Sequence, residues 1–138
     1  MTTFTTSRTI AATPREIYAA FAAPDRLARW WGPAGFTSSF DTCDFVPGGQ
    51  WSFVMHGPDG AHYPNESHFG SLVADEKVVV HHDAPPRFTL TVSLAPVAGG
   101  TLVTWEQAFE DAVLAEKMRG IAVPANEQNL DRLTAEVT

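Results

Sequence analysis

The sequence predicts an α+β fold in which a curved antiparallel sheet of about seven strands wraps around one long C-terminal helix. Three observations predict it: alternating apolar and polar residues through most of the segment 36–109, turn sequences between the alternating stretches, and apolar steps of three and four after Asp111. A sheet with helices on one face is a standard layered arrangement. Because the 138 residues contain no repeat or linker, we predict a single domain over residues 1–138.

The first elements are predicted to be a strand over Phe4–Ile10 and two short helices. Thr13-Pro14-Arg15-Glu16 combines a capping threonine, a proline of helical φ and a glutamate that reaches back to the cap. Pro24-Asp25 begins the second helix, and Gly32-Pro33 ends it just after Trp30-Trp31. Since neighbouring residues cannot both point inward, we expect one tryptophan in the core and the other at the rim of a cavity.

The remaining strands and the last helix are predicted from the spacing of apolar residues, which alternates at every second residue from Phe36 and changes to steps of three and four after Asp111. Strands are predicted at about residues 36–45, 51–56, 63–73, 78–82, 88–94 and 103–109, with turns at Pro58-Asp59-Gly60, Asp75-Glu76-Lys77 and Ala98-Gly99-Gly100. Gly70 is expected to mark a β-bulge. After Asp111 the pattern predicts a helix that extends to about Val137 and contains Pro124, which should bend it.

The composition of the chain excludes some classes of partner. Nine basic and 16 acidic residues give a formal charge of -7, so nucleic acid and anionic membranes are poor candidate partners. No apolar run approaches the roughly 20 residues that span a bilayer. The single cysteine, Cys43, cannot form an internal disulfide. The start Met1-Thr2-Thr3-Phe4 lacks the basic and apolar parts of a signal peptide, and we expect a cytoplasmic protein.

A strongly curved sheet closed by a helix encloses a space where large side chains from both meet. Such a space is typical of a pocket for a small apolar or aromatic molecule. The apolar residues predicted to line it are Trp31, Trp51, Phe53, Met55, Trp105, Phe109, Met118 and Ile121. The pattern fits equally well a cavity that these side chains fill themselves.

Three polar residues are candidates for chemistry at this cavity. Glu66 and His68 share one face of a predicted strand, and His82 ends the next strand. A carboxylate and an imidazole in a dry cavity could work as general acid and base, or orient the polar end of a ligand. The alternative is structural, with Glu66 accepting hydrogen bonds that fasten the sheet.

Metal and nucleophile motifs are missing from the sequence. The five histidines lie between His56 and His82, but they form neither His-x-His nor His-Glu-x-x-His, and His81 and His82 should point to opposite faces of their strand. The sequence has no Gly-x-Ser-x-Gly elbow and no phosphate-binding glycine loop. We therefore predict no metal and no cofactor.

Several motifs resemble a known family. They are Ala28-Arg29-Trp30-Trp31-Gly32-Pro33, Pro47-Gly48-Gly49-Gln50-Trp51-Ser52-Phe53, Met55-His56-Gly57-Pro58-Asp59-Gly60, Tyr63-Pro64-Asn65-Glu66 and Asn126-Glu127-Gln128-Asn129-Leu130-Asp131-Arg132-Leu133. In these motifs and its element order the chain resembles the bacterial family named after the activator of Hsp90 ATPase, within the START-like superfamily, whose helix-grip fold wraps a sheet around a C-terminal helix.

The resemblance implies the helix-grip fold and binding of a small, mostly apolar ligand between sheet and helix. Two alternatives remain open at this point. One is an enzyme of the polyketide cyclase, aromatase or hydrolase kind that uses Glu66 and a histidine. The other is an interaction module of the Hsp90 co-chaperone type. A homodimer is compatible with the resemblance.

Overall fold

The computed structural model describes all 138 residues. The strands are β1 (Thr2–Ile10), β2 (Thr37–Cys43), β3 (Gln50–His56), β4 (His62–Val73), β5 (Lys77–His82), β6 (Phe88–Val97) and β7 (Gly100–Phe109), and the helices are α1 (Pro14–Ala22), α2 (Pro24–Trp30) and α3 (Ala112–Val137). No helix is both long enough and apolar enough to cross a membrane.

The seven strands form one antiparallel sheet in the order β1-β7-β6-β5-β4-β3-β2. Strands β2 to β7 follow one another as a meander, and β1 pairs with β7, which places the first and last strands side by side. The helices pack against this sheet, so the predicted α+β helix-grip architecture is confirmed.

Two strands carry the irregularities that bend the sheet. The pairing of β4 with β5 shifts register between Phe69 and Leu72, next to Gly70. A Cβ atom on Gly70 would lie 2.6 Å from His81 Nε2, which explains the glycine. A second shift lies between Phe40 and Thr42 where β2 pairs with β3. Such irregularities increase local twist and help the sheet to curve.

Two of the helices begin with side chains that cap their first main-chain amides. Thr13 accepts a hydrogen bond from the Glu16 amide, and the Glu16 carboxylate accepts from the Thr13 amide, which is the capping box that the sequence predicts. Asp111 caps α3 by accepting from two main-chain amides. Helix α3 continues through Pro124 to Val137.

The main core lies between the inner face of the sheet and the helices. Trp30 is 1% exposed within it, and its indole Nε1 donates to the Ala20 carbonyl at 3.1 Å. A second, smaller cluster lies at the N-terminal half of α3, where Phe4 and Phe109 pack on Ala115 and Ala122.

Polar contacts join β1 to α3. Arg8 lies on the inner face of β1, at an unusual place for a charge. Its guanidinium pairs with Glu127, at 3.1 Å, and with Asp131 of α3. This pairing accounts for the arginine and fixes the middle of α3 beside the edge of the sheet.

Candidate functional site

A partly open cavity of about 130 Å³ lies between the inner face of the sheet and α3. Its lining residues come from the α2–β2 loop, five strands and α3. They are Trp31, Gly32, Pro33, Phe53, Met55, Asn65, Ser67, Val80, His82, Phe88, Leu90, Trp105, Gln107, Ala125, Asn126 and Asn129. None of the 16 is an aspartate, glutamate, lysine or arginine. Half of the lining residues are therefore apolar, and the others include uncharged amides and one imidazole.

Aromatic rings form a connected part of the wall. The ring of Trp31 lies 6.0 Å from that of Trp105, and Trp105 is 2% exposed. Phe53 and Phe88 line other parts of the wall. Such a surface presents large, weakly hydrated areas to a flat or aliphatic ligand.

The polar part of the wall is organised around His82. Its Nδ1 lies 2.8 Å from the carbonyl oxygens of both Ala84 and Pro86, and its Nε2 lies 2.9 Å from Asn65 Oδ1. The ring also stacks on Phe88 at a centroid distance of 4.7 Å and an angle of 5°. These contacts fix the position of the imidazole at the cavity.

Helix α3 holds the loop that carries Trp31. Asn129 donates from Nδ2 to the Trp30 carbonyl at 3.1 Å and accepts at Oδ1 from the Gly32 amide at 3.3 Å. One turn further, Arg132 donates to the carbonyls of Trp31, Gly32 and Pro33 and to that of Arg29. Burial lowers the pKa of the Arg132 guanidinium.

Glycine suits this position of the loop because its φ of 100° lies in the left-handed region, which other residues rarely adopt. The Gly-Pro pair that ends α2 thus also shapes the cavity rim.

Five of the residues predicted to line a cavity do line it: Trp31, Phe53, Met55, His82 and Trp105. Trp51 does not. It is 1% exposed in the main core, where it stacks on Phe53 at 4.6 Å and on Phe69 at 5.5 Å. It therefore packs behind Phe53, which lines the cavity, and does not itself line the cavity.

Phe109, Met118 and Ile121 also lie elsewhere than predicted. Phe109 is buried in the second core cluster, and Met118 packs on that cluster. Ile121 is 71% exposed on α3. The expected apolar stripe was wrong here because α3 turns small residues, Ala115 and Ala122, towards the sheet, which lets the helix approach closely.

Glu66 and His68 lie on the outer face of the sheet, away from the cavity. The Glu66 carboxylate accepts from the Ser52 hydroxyl, while the His68 ring stacks on His81 at 4.8 Å and its Nδ1 pairs with Asp83. The expectation that Glu66 and a histidine meet inside the cavity is corrected, since Glu66 and His82 point to opposite faces.

Sequence reasoning missed most of the polar lining. Asn65 and Ser67 alternate with Glu66, so they mark the other face of the same strand. Gln107 alternates with Trp105 and accepts from Asn126 at 3.0 Å. The signal was therefore present, as polar residues at inward positions of otherwise apolar strands. The apolar residues missed are Val80, Phe88, Leu90 and Ala125.

The histidines of the outer face form pairs. His56 Nδ1 lies 2.7 Å from His62 Nδ1, and His68 lies beside His81. No three His, Cys, Asp or Glu side chains come together as metal ligands would.

The helix-grip fold, a curved antiparallel sheet packed on a long C-terminal helix, defines the class of this protein as START-like. The sequence model of the activator of Hsp90 ATPase homolog 1-like proteins matches residues 11–138. The chain belongs to this family. A search of curated proteins gives no match.

Solved structures show the same fold. A protein from Arthrobacter aurescens has a TM-score of 0.89 at 24% identity, over 98% of this chain and 85% of that one. A protein from Nitrosomonas europaea has a TM-score of 0.87 at 18% identity, over 98% and 93%. An AHSA1-like protein from Aeromonas hydrophila has a TM-score of 0.78 at 22% identity, over 99% and 92%. At these identities the likeness concerns the fold alone.

Proposed function

We propose that the protein binds a small, mostly apolar or aromatic molecule in the cavity between the sheet and α3. The observation that carries the proposal is the cavity wall, where Trp31, Phe53, Phe88 and Trp105 surround about 130 Å³. The START-like fold, in which other proteins bind apolar ligands, supports it. An apolar cavity of about 150 Å³ is large enough for benzene.

The size of the cavity sets the affinity to expect. Burying about 150 Å² of apolar ligand surface contributes on the order of 4 kcal/mol, which sets a limit of about 1 mM on the Kd before the costs of association are subtracted. Tighter binding requires hydrogen bonds or charge from the polar wall, or a larger ligand that extends through the open side. A screen must therefore use ligands at millimolar concentration.

Ligand-observed NMR with one-ring aromatic compounds tests the proposal directly. The variant Ala125→Leu adds three carbon atoms at a residue that lines the cavity, whereas Ala135→Leu makes the same change on the exposed side of α3. We expect wild type and Ala135→Leu to bind the same compounds and Ala125→Leu to lose them. Equal binding by all three proteins, or binding by none, would contradict the proposal.

A further inference from the structure

The hydroxyl of Ser67 forms no hydrogen bond within the protein, although the residue is buried. Ser67 is 3% exposed, lines the cavity, and lies on β4 directly opposite Trp51 of β3 and His82 of β5. Residues that are directly paired in a sheet point to the same face, so the Ser67 side chain faces inward with these two. Buried hydroxyl groups without a partner are uncommon in folded proteins, and each one needs a physical explanation.

The hydroxyl oxygen of Ser67 has surface that is open to the cavity. Three side-chain atoms of the protein are enclosed and have no hydrogen-bond partner: Ser38 Oγ, Trp51 Nε1 and Trp105 Nε1. Ser67 Oγ is not one of them, and because it has no partner either, part of its surface must be accessible. Since Ser67 lines the cavity, a ligand in the cavity can reach this oxygen.

The polar neighbours of Ser67 are already occupied. Both ring nitrogens of His82 have protein oxygen atoms within 2.9 Å. Both amide atoms of Asn65, the preceding inward residue of β4, have partners as well, which are the His82 ring and the Tyr63 carbonyl. Ser67 is therefore the hydrogen-bonding group that this end of the cavity leaves free for a ligand.

The cavity favours a neutral ligand. Its lining contains no aspartate, glutamate, lysine or arginine, and the occupied His82 ring has no free N–H to offer an anion. The amides of Gln107 and Asn126, which bond to each other at 3.0 Å, are uncharged. Taking an ion out of water without an opposite charge is very unfavourable, whereas a neutral hydroxyl needs only a hydrogen-bond partner.

We infer that the cavity binds a neutral aromatic molecule of the phenol class, whose hydroxyl group pairs with the hydroxyl of Ser67. The inference rests on the proposed function and deepens it, because aromatic walls alone would prefer a ring without a polar group. A hydroxyl both donates and accepts, so the ligand can pair with Ser67 in either direction. Phe53, Phe88 and Trp105 contact the ring of the ligand from the wall of the cavity.

The test compares phenol with toluene, which has a methyl group in place of the hydroxyl and nearly the same shape. In NMR titrations we expect Ser67→Ala to weaken phenol binding about fivefold, the usual contribution of one hydrogen bond, and to leave toluene binding unchanged. Toluene binding by Ser67→Ala also shows that this variant is folded. Ser71→Ala makes the same substitution at an exposed position of the same strand and should alter neither affinity.

A second pair of compounds tests the preference for a neutral ligand. Benzoate and benzamide have nearly the same shape, and at about pH 7 only benzoate is charged. We expect benzamide to bind the wild-type protein more tightly. Binding of benzoate with equal or higher affinity would overturn the assignment of a neutral ligand.

The other outcomes separate this inference from the proposed function. Phenol binding that is unchanged in Ser67→Ala, or weakened as much in Ser71→Ala, would overturn the role of Ser67 and leave cavity binding intact. Binding of toluene without phenol would overturn the phenol class in the same way. Binding of none of these compounds would contradict both the inference and the proposed function.

Discussion

Asn129 in the middle of α3 hydrogen-bonds to the main chain of Trp30 at the end of α2, at 3.1 Å, and its oxygen accepts from Gly32. The side chain is 6% exposed, so neither main-chain group has water as a substitute partner. One amide therefore fixes the main chain on both sides of Trp31 and, with it, the aromatic rim of the cavity.

Replacing this amide should loosen the rim and destabilise the fold. Asn129→Ala leaves the Trp30 carbonyl and the Gly32 amide without partners, and we expect a loss of about 1–3 kcal/mol in the free energy of unfolding. Urea titration measures it. Asn126→Ala, which removes only a contact with the Gln107 side chain, should cost less. A larger loss of stability in Asn126→Ala than in Asn129→Ala would show that the hydrogen bonds of Asn129 to the main chain beside Trp31 are not the important contact.

Glu66 should be dispensable for ligand binding. Its carboxylate lies on the outer face of the sheet with Ser52, so Glu66→Gln should bind aromatic ligands with wild-type affinity. NMR titration of both proteins with the same ligand checks this. A severalfold loss of affinity in Glu66→Gln would show that the carboxylate contributes to the site, and it would support the acid–base interpretation.

Cys43 should be unreactive in the folded protein. Burial, with a further contribution from the charge of Asp44, raises the pKa of its thiol to about 11. Because the thiolate is the reactive form, a disulfide reagent at about pH 8 should label native Cys43 slowly and the urea-unfolded chain quickly. Equal rates in the two states would contradict this environment.

Glu136 should make stability depend on pH. The hydrogen bond from Arg29 is the main cause that lowers the pKa of its carboxyl below 4.5, and Arg26 adds to it. Because the pKa is lower in the folded state, the stabilisation is present above the unfolded pKa and is lost as the pH falls through the folded pKa. Glu136→Gln should therefore be less stable than wild type near pH 7.

The comparison at low pH completes this test. Once the pH lies below the folded pKa of Glu136 and the carboxyl is protonated, wild type and Glu136→Gln should unfold at similar urea concentrations. Asp41→Asn, at an exposed carboxylate of β2 that forms no ion pair, is the control for a general charge effect. A difference between wild type and Glu136→Gln that persists at low pH would point to packing and not to the ion pair.

Much of the fold could be predicted from local pattern. The capping box at Thr13 and Glu16, the glycine stop after Trp31 and the alternation in β6 depend on residues close in sequence, and each is present in the structure. The fold class followed because the order of these elements leaves few arrangements for an antiparallel sheet and a last helix.

The site was predictable only in part, for a geometric reason. Glu66 and His82 both have even numbers, yet the register pairs Ser67 with His82, so the inward position changes parity from β4 to β5. Alternation along a strand gives two faces but does not say which face of one strand matches which face of the next. The outward turn of Glu66 is decided by that register.

The sequence by itself determined the secondary structure, the fold class and the presence of enough large aromatic residues for a cavity, because these depend on local spacing and composition. Only the tertiary structure decided which side chains meet there. It brought Asn65, His82 and Asn129 to one cavity from two strands and a helix, and it placed Ile121 in solvent. Strand register and the rotation of a packed helix are set by contacts between distant residues, which no local pattern contains.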